Sequence, residues 1–576
     1  MARKRPTAEP APEPAANLAG LVQACKDDPD DDGLRLILAD YLEDHGEPDR
    51  AELIRLGVAV AGVEPASVAA LHARLARLRR DHDGRWLAGL GGKGVRAGFA
   101  RGFVTVEGTA ASLRDGLADV GPWAERLTLG GVRATVAAFL NAPSAATFSA
   151  VRLGLNLDPT VAAVLAGPAV GPRLREIAFP LPADRDEATR PLFAPDAALG
   201  RLRRLAINGV LSLPALRALA GASFATGLHS LATTMRLERD QAAVLGGAET
   251  LAGLAELDLG IDPLAVATLA DSPHLRPRVL RLSGWGPGNE ALVALARSPL
   301  LARVRALRLT GFTLTERGLG ALAASPALAG VEDLELANCR IDDAGVRALA
   351  ASDHLANLRR LNLAGNRIGS SGAAALANAP ALGGLERLVI DHNPLGPTGP
   401  ATLFRGKRLA ALRDLSAANI GADDPAVEAL IAGPLAPRLR RLRLGDALLR
   451  PASIVRLAAA PSLAALEALE LVHRTVTNRC MTALAASVTL ERLVWLTVSI
   501  PAGAAEGLAA LTGLDGLPRL VFLGLALQDT TNPPSTGVVR MLAESPRRGD
   551  GFVPFCPYAH LLPPAWTAVL SPEPTG

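Results

Sequence analysis

Apolar residues two positions apart, followed three positions later by a polar residue, recur through most of the chain. Between Val331 and Leu395 they form three near-copies of one line, "VEDLELANCRI", "LRRLNLAGNRI" and "LERLVIDHNPL". Each reads L-x-x-L-x-L-x-x-N/C-x-L, with Cys339, Asn366 and Asn393 at the polar position. Side chains two apart on a strand share a face, so Leu334 and Leu336 point one way and Glu335 the other. A short strand buried on one face is predicted in each copy. The Asn or Cys falls where the chain turns out of the strand, placed to satisfy backbone carbonyls that would otherwise be buried unpaired. After Ile368, "GSSGAAALANAPALGG" carries Ala373, Leu376 and Ala377 at helical spacing, which predicts a short helix.

The line is the leucine-rich-repeat signature. Taking its second leucine as a phase marker, Leu307, Leu334, Leu361, Leu388, Leu415, Leu442, Leu469, Leu496 and Leu523 follow at intervals of 27 residues. One such unit cannot cover its own leucines, but stacked units share a core and form a solenoid. Strands sit about 4.8 Å apart and packed helices about 8–10 Å apart, so the strands must line the inside of the curve. The predicted fold is α/β, a curved parallel sheet inside with short helices outside. Less regular pairs extend it backwards: Leu127 with Leu129, Val151 with Leu153, Ile177 with Phe179, Leu205 with Ile207, Met235 with Leu237, Leu257 with Leu259 and Leu280 with Leu282. About 16 units are expected from Leu127 to Leu523.

The pattern changes at both ends. Residues 1–16 are Pro, Ala and charged residues, a composition that predicts a disordered tail. Residues 17–90 read as a small all-helical domain, with helices near Leu18–Lys26 and Leu34–Asp44, a third from Pro48 and a fourth from about Pro65 to Arg80. Residues 91–122 read as a bridge and cap in which "RGFVTVEG" supplies a strand over the solenoid's open edge. The solenoid is assigned to 123–540. Residues 541–576 lose the period and gain Phe552, Phe555, Tyr558 and Trp566, as a terminal cap or tail would.

The helical stretch "LRLILADYLEDHGEPDRAELIRLG" carries Asp40, Tyr41, Leu42, Glu43, His45, Gly46, Pro48, Arg50, Ala51, Glu52 and Arg55. Over residues 17–60 it resembles the repeat-companion domain found at the start of many planctomycete proteins. That resemblance implies a bacterial source and a pairing of this module with repeats; it implies no catalytic residue. The solenoid's 27-residue period resembles that of ribonuclease-inhibitor-like leucine-rich proteins, although the four cysteines here contrast with their cysteine-rich mammalian members.

Composition narrows the function classes. With 49% hydrophobic but only 3% aromatic residues, the core of this 576-residue chain must be built from Leu, Val and Ala. A net charge of +3, from 60 basic and 57 acidic residues, gives no case for nucleic acid. Cys25, Cys339, Cys480 and Cys556 form no CxxC pair, and no stretch reaches 18 apolar residues, so neither a zinc site nor a membrane span is expected. A soluble cytoplasmic protein without metal or cofactor is expected, with a monomer favoured. The glycines of "GLGGKGVRAGFARG" match no phosphate-loop spacing. An acidic cluster from Asp27 to Glu52 reads as caps and solvated faces of the helical domain; the functional alternatives are a cation site, although no EF-hand spacing is present, or a docking surface for basic partners.

No nucleophile, base and orienter converge in the sequence, so an enzyme is not expected. The remaining resource is the concave face. Its candidate protein-binding residues are Arg308, Glu335, Arg359, Arg360, Asn362, Glu386, Arg387, Arg413, Arg440, Arg441, Arg443 and Glu470, a stripe of mixed sign suited to an oppositely patterned protein. The function expected is a non-catalytic protein–protein interaction scaffold with an unidentified partner. The alternative is a regulator or inhibitor associated with an enzyme; an intrinsic hydrolase or ligase activity is less favoured.

Overall fold

In a computed structural model of the chain, the described residues are 14–61, 69–87, 90, 94–113, 122–182, 185–209, 211–445, 449–472, 475–501, 503–513 and 517–527, with isolated positions from 542 to 572. The tail assigned to 1–16 lies outside them up to residue 13, and a helix already begins at Pro14. Phe552, Tyr558 and Trp566 also lie outside.

Among the described residues one 20-stranded sheet runs through the molecule, with a short helix or 3-10 turn following nearly every strand. From Ala124–Gly130 to Phe522–Leu527 each strand pairs in parallel with the next. Leu307 lies opposite Leu334, Leu334 opposite Leu361, and so on to Leu496 opposite Leu523. This is the leucine-rich-repeat solenoid, and its leucines form one continuous core from Leu90 to Leu542. The short helices pack by small residues: Gly372, Ala373, Leu376 and Ala377 are buried on the helix Ser370–Asn378. One early unit is phased differently from the sequence reading. Leu231, not Met235, sits in register with Leu205 and Leu257, because buried Thr233 takes the second core position and breaks the apolar pair.

Among the described residues four helices precede the sheet: α1 (Pro14–Asp27), α2 (Asp32–Asp44), α3 (Pro48–Val60) and α4 (Ala69–Trp86). Asp31 caps α2 through the Gly33 and Leu34 N–H groups, and Pro48 opens α3 where no N–H is needed. An antiparallel hairpin, β1 (Arg96–Ala100) and β2 (Phe103–Thr109), follows, and β2 pairs in parallel with the first solenoid strand. It therefore covers the sheet's leading edge. Helix α3 lies on the hairpin turn so closely that a Cβ at Gly57 would stand 2.7 Å from the Gly102 nitrogen. The helical module, hairpin and solenoid are thus packed together.

Candidate protein-binding surface

In each strand the residues before and after the first core leucine face away from the core, onto the concave side. Arg308, Glu335, Arg360, Asn362, Arg387, Arg441, Arg443 and Glu470 occupy such strand positions, whereas Arg359, Glu386, Arg413 and Arg440 stand just before their strands, and most of the twelve are engaged with one another. Arg308 reaches Asp333 at 3.2 Å and Glu335 at 3.6 Å, and Arg360 reaches the same Asp333 at 3.4 Å. Asp414 is shared by Arg387 at 3.4 Å and Arg441 at 3.5 Å. Glu470 takes Arg441 at 2.6 Å and Arg443 at 3.7 Å. Asp391 accepts from Arg443 at 3.0 Å and from the Ser416 hydroxyl at 2.8 Å. Five arginines thus face five carboxylates, and the stripe is close to neutral within itself.

Burial grades along the stripe. Arg441 is only 3% exposed. Burial works against its guanidinium, but Glu470 and Asp414 outweigh that and raise its pKa. Burial lowers the pKa of Arg387 despite Asp414. By contrast Arg359, Arg360, Glu386, Arg413 and Arg440 are exposed. Arg359 meets Glu386 at 3.6 Å and Arg440 meets Glu467 at 3.4 Å, contacts that contribute about 0–1 kcal/mol each in solvent. Asn362 uses its side-chain oxygen on the Ala364 N–H at 3.0 Å. The sequence reading did not select Asp333, Asp391 and Asp414 as site residues. Asp391 had a signal, since it stands where the two preceding copies have Ala337 and Ala364.

Towards the last units the concave face is covered. Trp495, Thr497 and Ser499 alternate with core residues on the strand Trp495–Ile500, yet all three are buried. Trp495 and Phe522, their tilted rings 4.9 Å apart, cluster with Ala468 and Val494, and Ala76 of α4 packs against this cluster. The first units are covered by the same module. The turn between α1 and α2 puts Asp27 on Arg175 and on Arg201, and Asp30 on Arg204. Arg101 of the hairpin turn holds Asp32 at 3.2 Å. Lys26 donates to the Thr147 carbonyl at 2.8 Å, and buried Arg35 pairs with buried Glu125 at 2.8 Å. Part of the acidic cluster, read from sequence as caps or as a docking surface, is therefore spent on the chain's own arginines. Further members pair inside the module, with Arg55 on Asp40 and Glu43, Arg85 on Glu47, and Arg74 on Glu52.

Among the described residues, no three His, Cys, Asp or Glu groups converge as a metal site. Burial pushes the Cys25 thiol up to about 11 and the Cys339 thiol up to about 12, so neither supplies a thiolate near neutrality. His45 stacks on Tyr41 at 3.9 Å and bonds its carbonyl at 2.7 Å, a local role at the end of α2. No described helix is long and apolar enough to cross a membrane.

A leucine-rich-repeat family model matches residues 331–350 and 354–377. No curated protein matches the chain. Among solved structures, the chain is similar to an internalin of Listeria monocytogenes, at 16% identity and TM-score 0.31 over 57% of this chain and 81% of that one. It is also similar to a chain of the yeast Rad7 and Elc1 complex, at 14% identity and TM-score 0.36 over 80% of this chain and 94% of that one. A TDR receptor is matched at 14% identity and TM-score 0.27, over 68% and 62%. Similarities at this level say nothing about a partner.

Proposed function

We propose that the protein is a non-catalytic interaction scaffold that binds another protein through the middle of its concave face. The observation that supports this reading is the contrast in cover along the sheet. Both ends of the arc carry the chain's own helical module, whereas in the middle Arg308 and Arg360 on their strands, and Arg359 and Arg413 just before theirs, remain half-exposed or exposed. A partner would exchange its own charges for the weak exposed pairs there, which favours specificity and encounter rate more than raw affinity. Glu335, Asn362, Glu386 and Arg440 belong to the same accessible stretch; Arg387, Arg441, Arg443 and Glu470 act by holding it together. The resemblance of residues 17–60 to a repeat-companion domain supports treating the helical module as a partner of the repeats. Cys25, Cys339 and Cys480 are free thiols, which suits a reducing compartment.

The test is affinity capture with the full chain, followed by the triple charge reversal Arg359→Glu, Arg360→Glu and Arg413→Glu. Recovery of the saturable partner is expected to fall about tenfold or more with the circular dichroism spectrum unchanged. Unchanged recovery would remove this stretch from recognition. Arg441→Glu is unsuitable as a surface variant, because it would bury an uncompensated carboxylate beside Glu470 and Asp414.

A further inference from the structure

The rim where the chain enters its strands is unevenly charged. Arg359, Glu386, Arg413, Arg440 and Glu467 stand one per unit along it, and from Glu386 onwards each N–H donates to the carbonyl of the residue before, at 2.7 to 2.9 Å. Arg359 pairs with Glu386 and Arg440 with Glu467. Arg413 between them is exposed, and the turn leading to it adds exposed Arg405, Lys407 and Arg408. The next unit adds exposed Arg438, on the 3-10 turn Ala436–Arg438. Among the described residues none of these five cations has a carboxylate partner. Local structure accounts for two of them. Arg405 ends the helix Gly399–Phe404, where a cation is favoured, and Arg438 donates to the Pro434 carbonyl at 3.1 Å. It accounts for none of Lys407, Arg408 and Arg413. The turn of the preceding unit passes the Arg408 carbonyl at Gly383, which has no side chain to cover it. The rim thus sets seven exposed cations, Arg359 and Arg440 included, against Glu386 and Glu467, in a chain whose whole net charge is +3.

We propose that this rim binds a carboxylate-rich segment of a partner protein. The proposal rests on the scaffold reading above for the partner being a protein, and gives that partner a charge. Six of the seven cations are arginines, whose planar forks take a carboxylate at two points. Neighbouring units lie about 5 Å apart at the strands and about 8–10 Å apart at the helices, so the rim from Arg359 to Arg440 spans about 15–25 Å. An extended segment of about five to eight residues covers that length. A nucleic acid strand fits less well. Among the described residues no exposed aromatic side chain stands beside these cations for a base to stack on. Phosphates continuing along the rim would also meet Glu386 and Glu467, whereas a protein can set carboxylates on the cations and basic groups beside them.

Fluorescence anisotropy with the full chain tests the assignment, using labelled peptides of about eight residues that alternate Glu with Ser or Lys with Ser, and an oligothymidylate of the same length. Saturable binding of the Glu peptide is expected at low ionic strength, weakening as salt is added. The triple variant Arg405→Gln, Lys407→Gln and Arg408→Gln should weaken it about tenfold. Arg217→Gln, Arg239→Gln and Arg297→Gln remove the same charge from exposed positions on earlier helices, and together should change it by less than about twofold. All six positions are exposed, so neither triple should move the melting curve by more than a few degrees. Three results would overturn the proposal: no saturable binding of the Glu peptide, equal losses in the two triples, or tighter binding of oligothymidylate through the same three cations. Failure of the peptide beside a captured partner that depends on Arg359 and Arg360 would reject the acidic segment alone. Binding of the peptide with no partner captured would reject the scaffold reading and keep the rim as an acidic-peptide site.

Discussion

The middle units and the first units solve the same turn in different ways. In the middle, strands are three residues long, as in Asp333–Glu335, Arg360–Asn362 and Arg387–Val389. The chain then leaves the sheet, and an asparagine amide takes over the backbone. Asn366 accepts from the Cys339 and Ile341 N–H groups at 2.9 and 3.0 Å and donates to the Leu336 and Leu363 carbonyls at 2.8 Å. Asn393 repeats this with Ile368, Leu363 and Ile390. Several earlier strands instead run on: six residues in Arg204–Gly209, eight in Ser230–Leu237, nine in Val279–Pro287. There the ladder itself satisfies the backbone, and in Arg204–Gly209 a glycine makes the exit. A side-chain amide and a prolonged ladder are thus alternative ways to end a solenoid strand without orphaned carbonyls.

The comparison breaks most visibly at Gly209. Its φ is +153°, and a Cβ there would lie 1.7 Å from the Leu181 carbonyl oxygen of the neighbouring strand. Gly209→Ala is expected to destabilise the chain by about 4 kcal/mol, because backbone rather than a side chain must move. Urea unfolding gives the size, and hydrogen exchange should place the loss in residues 176–209. A loss below that of Asn366→Ala would mean that the prolonged ladder tolerates an ordinary residue at its exit.

Asn366→Ala is the matching change in the middle. It leaves several buried backbone groups of two adjacent units without partners, a cost of about 2–3 kcal/mol after local relaxation. Exchange protection should fall between residues 336 and 368 and hold in the first units. If protection drops evenly along the arc, the amide ladder is not a local device.

These differences explain what the amino-acid pattern reveals. Leu334, Leu361 and Leu388 reveal register directly, because the amide turn restarts the count at a fixed place in every copy. At Leu231 the count slips by four, since Thr233 sits where a leucine is expected and Met235 offers a false phase. Concave positions follow from alternation once register is known, so Arg308 and Arg443 could be placed. Their engagement could not, because the carboxylates lie in other units; Arg443 finds Asp391 across 52 residues. The acidic turn Asp27–Asp32 shows the same limit: it is conspicuous in composition, yet its arginines arrive 148 and 174 residues later.

The smallest effect probes the first units through their cover. Lys26 is buried under the module and donates to Thr147, and burial pushes its pKa down to about 8 from its ordinary 10.5. Between those values the unfolded chain holds a proton that the native chain has released, so stability rises with pH across that window. Neighbouring Cys25 acts oppositely and later. Its thiol, pushed up to about 11 from 9.0, lets the unfolded chain ionise first and lowers stability as pH rises through 9. From pH 8 to 9 the lysine outweighs this opposition, and unfolding free energy should increase by somewhat less than about 1 kcal/mol. Lys26→Met should flatten that rise while leaving the Asn366 region unchanged in exchange protection. Parallel curves for the two proteins from pH 8 to 9 would mean that water reaches Lys26, and that the module sits on the first units less tightly than their buried contacts imply.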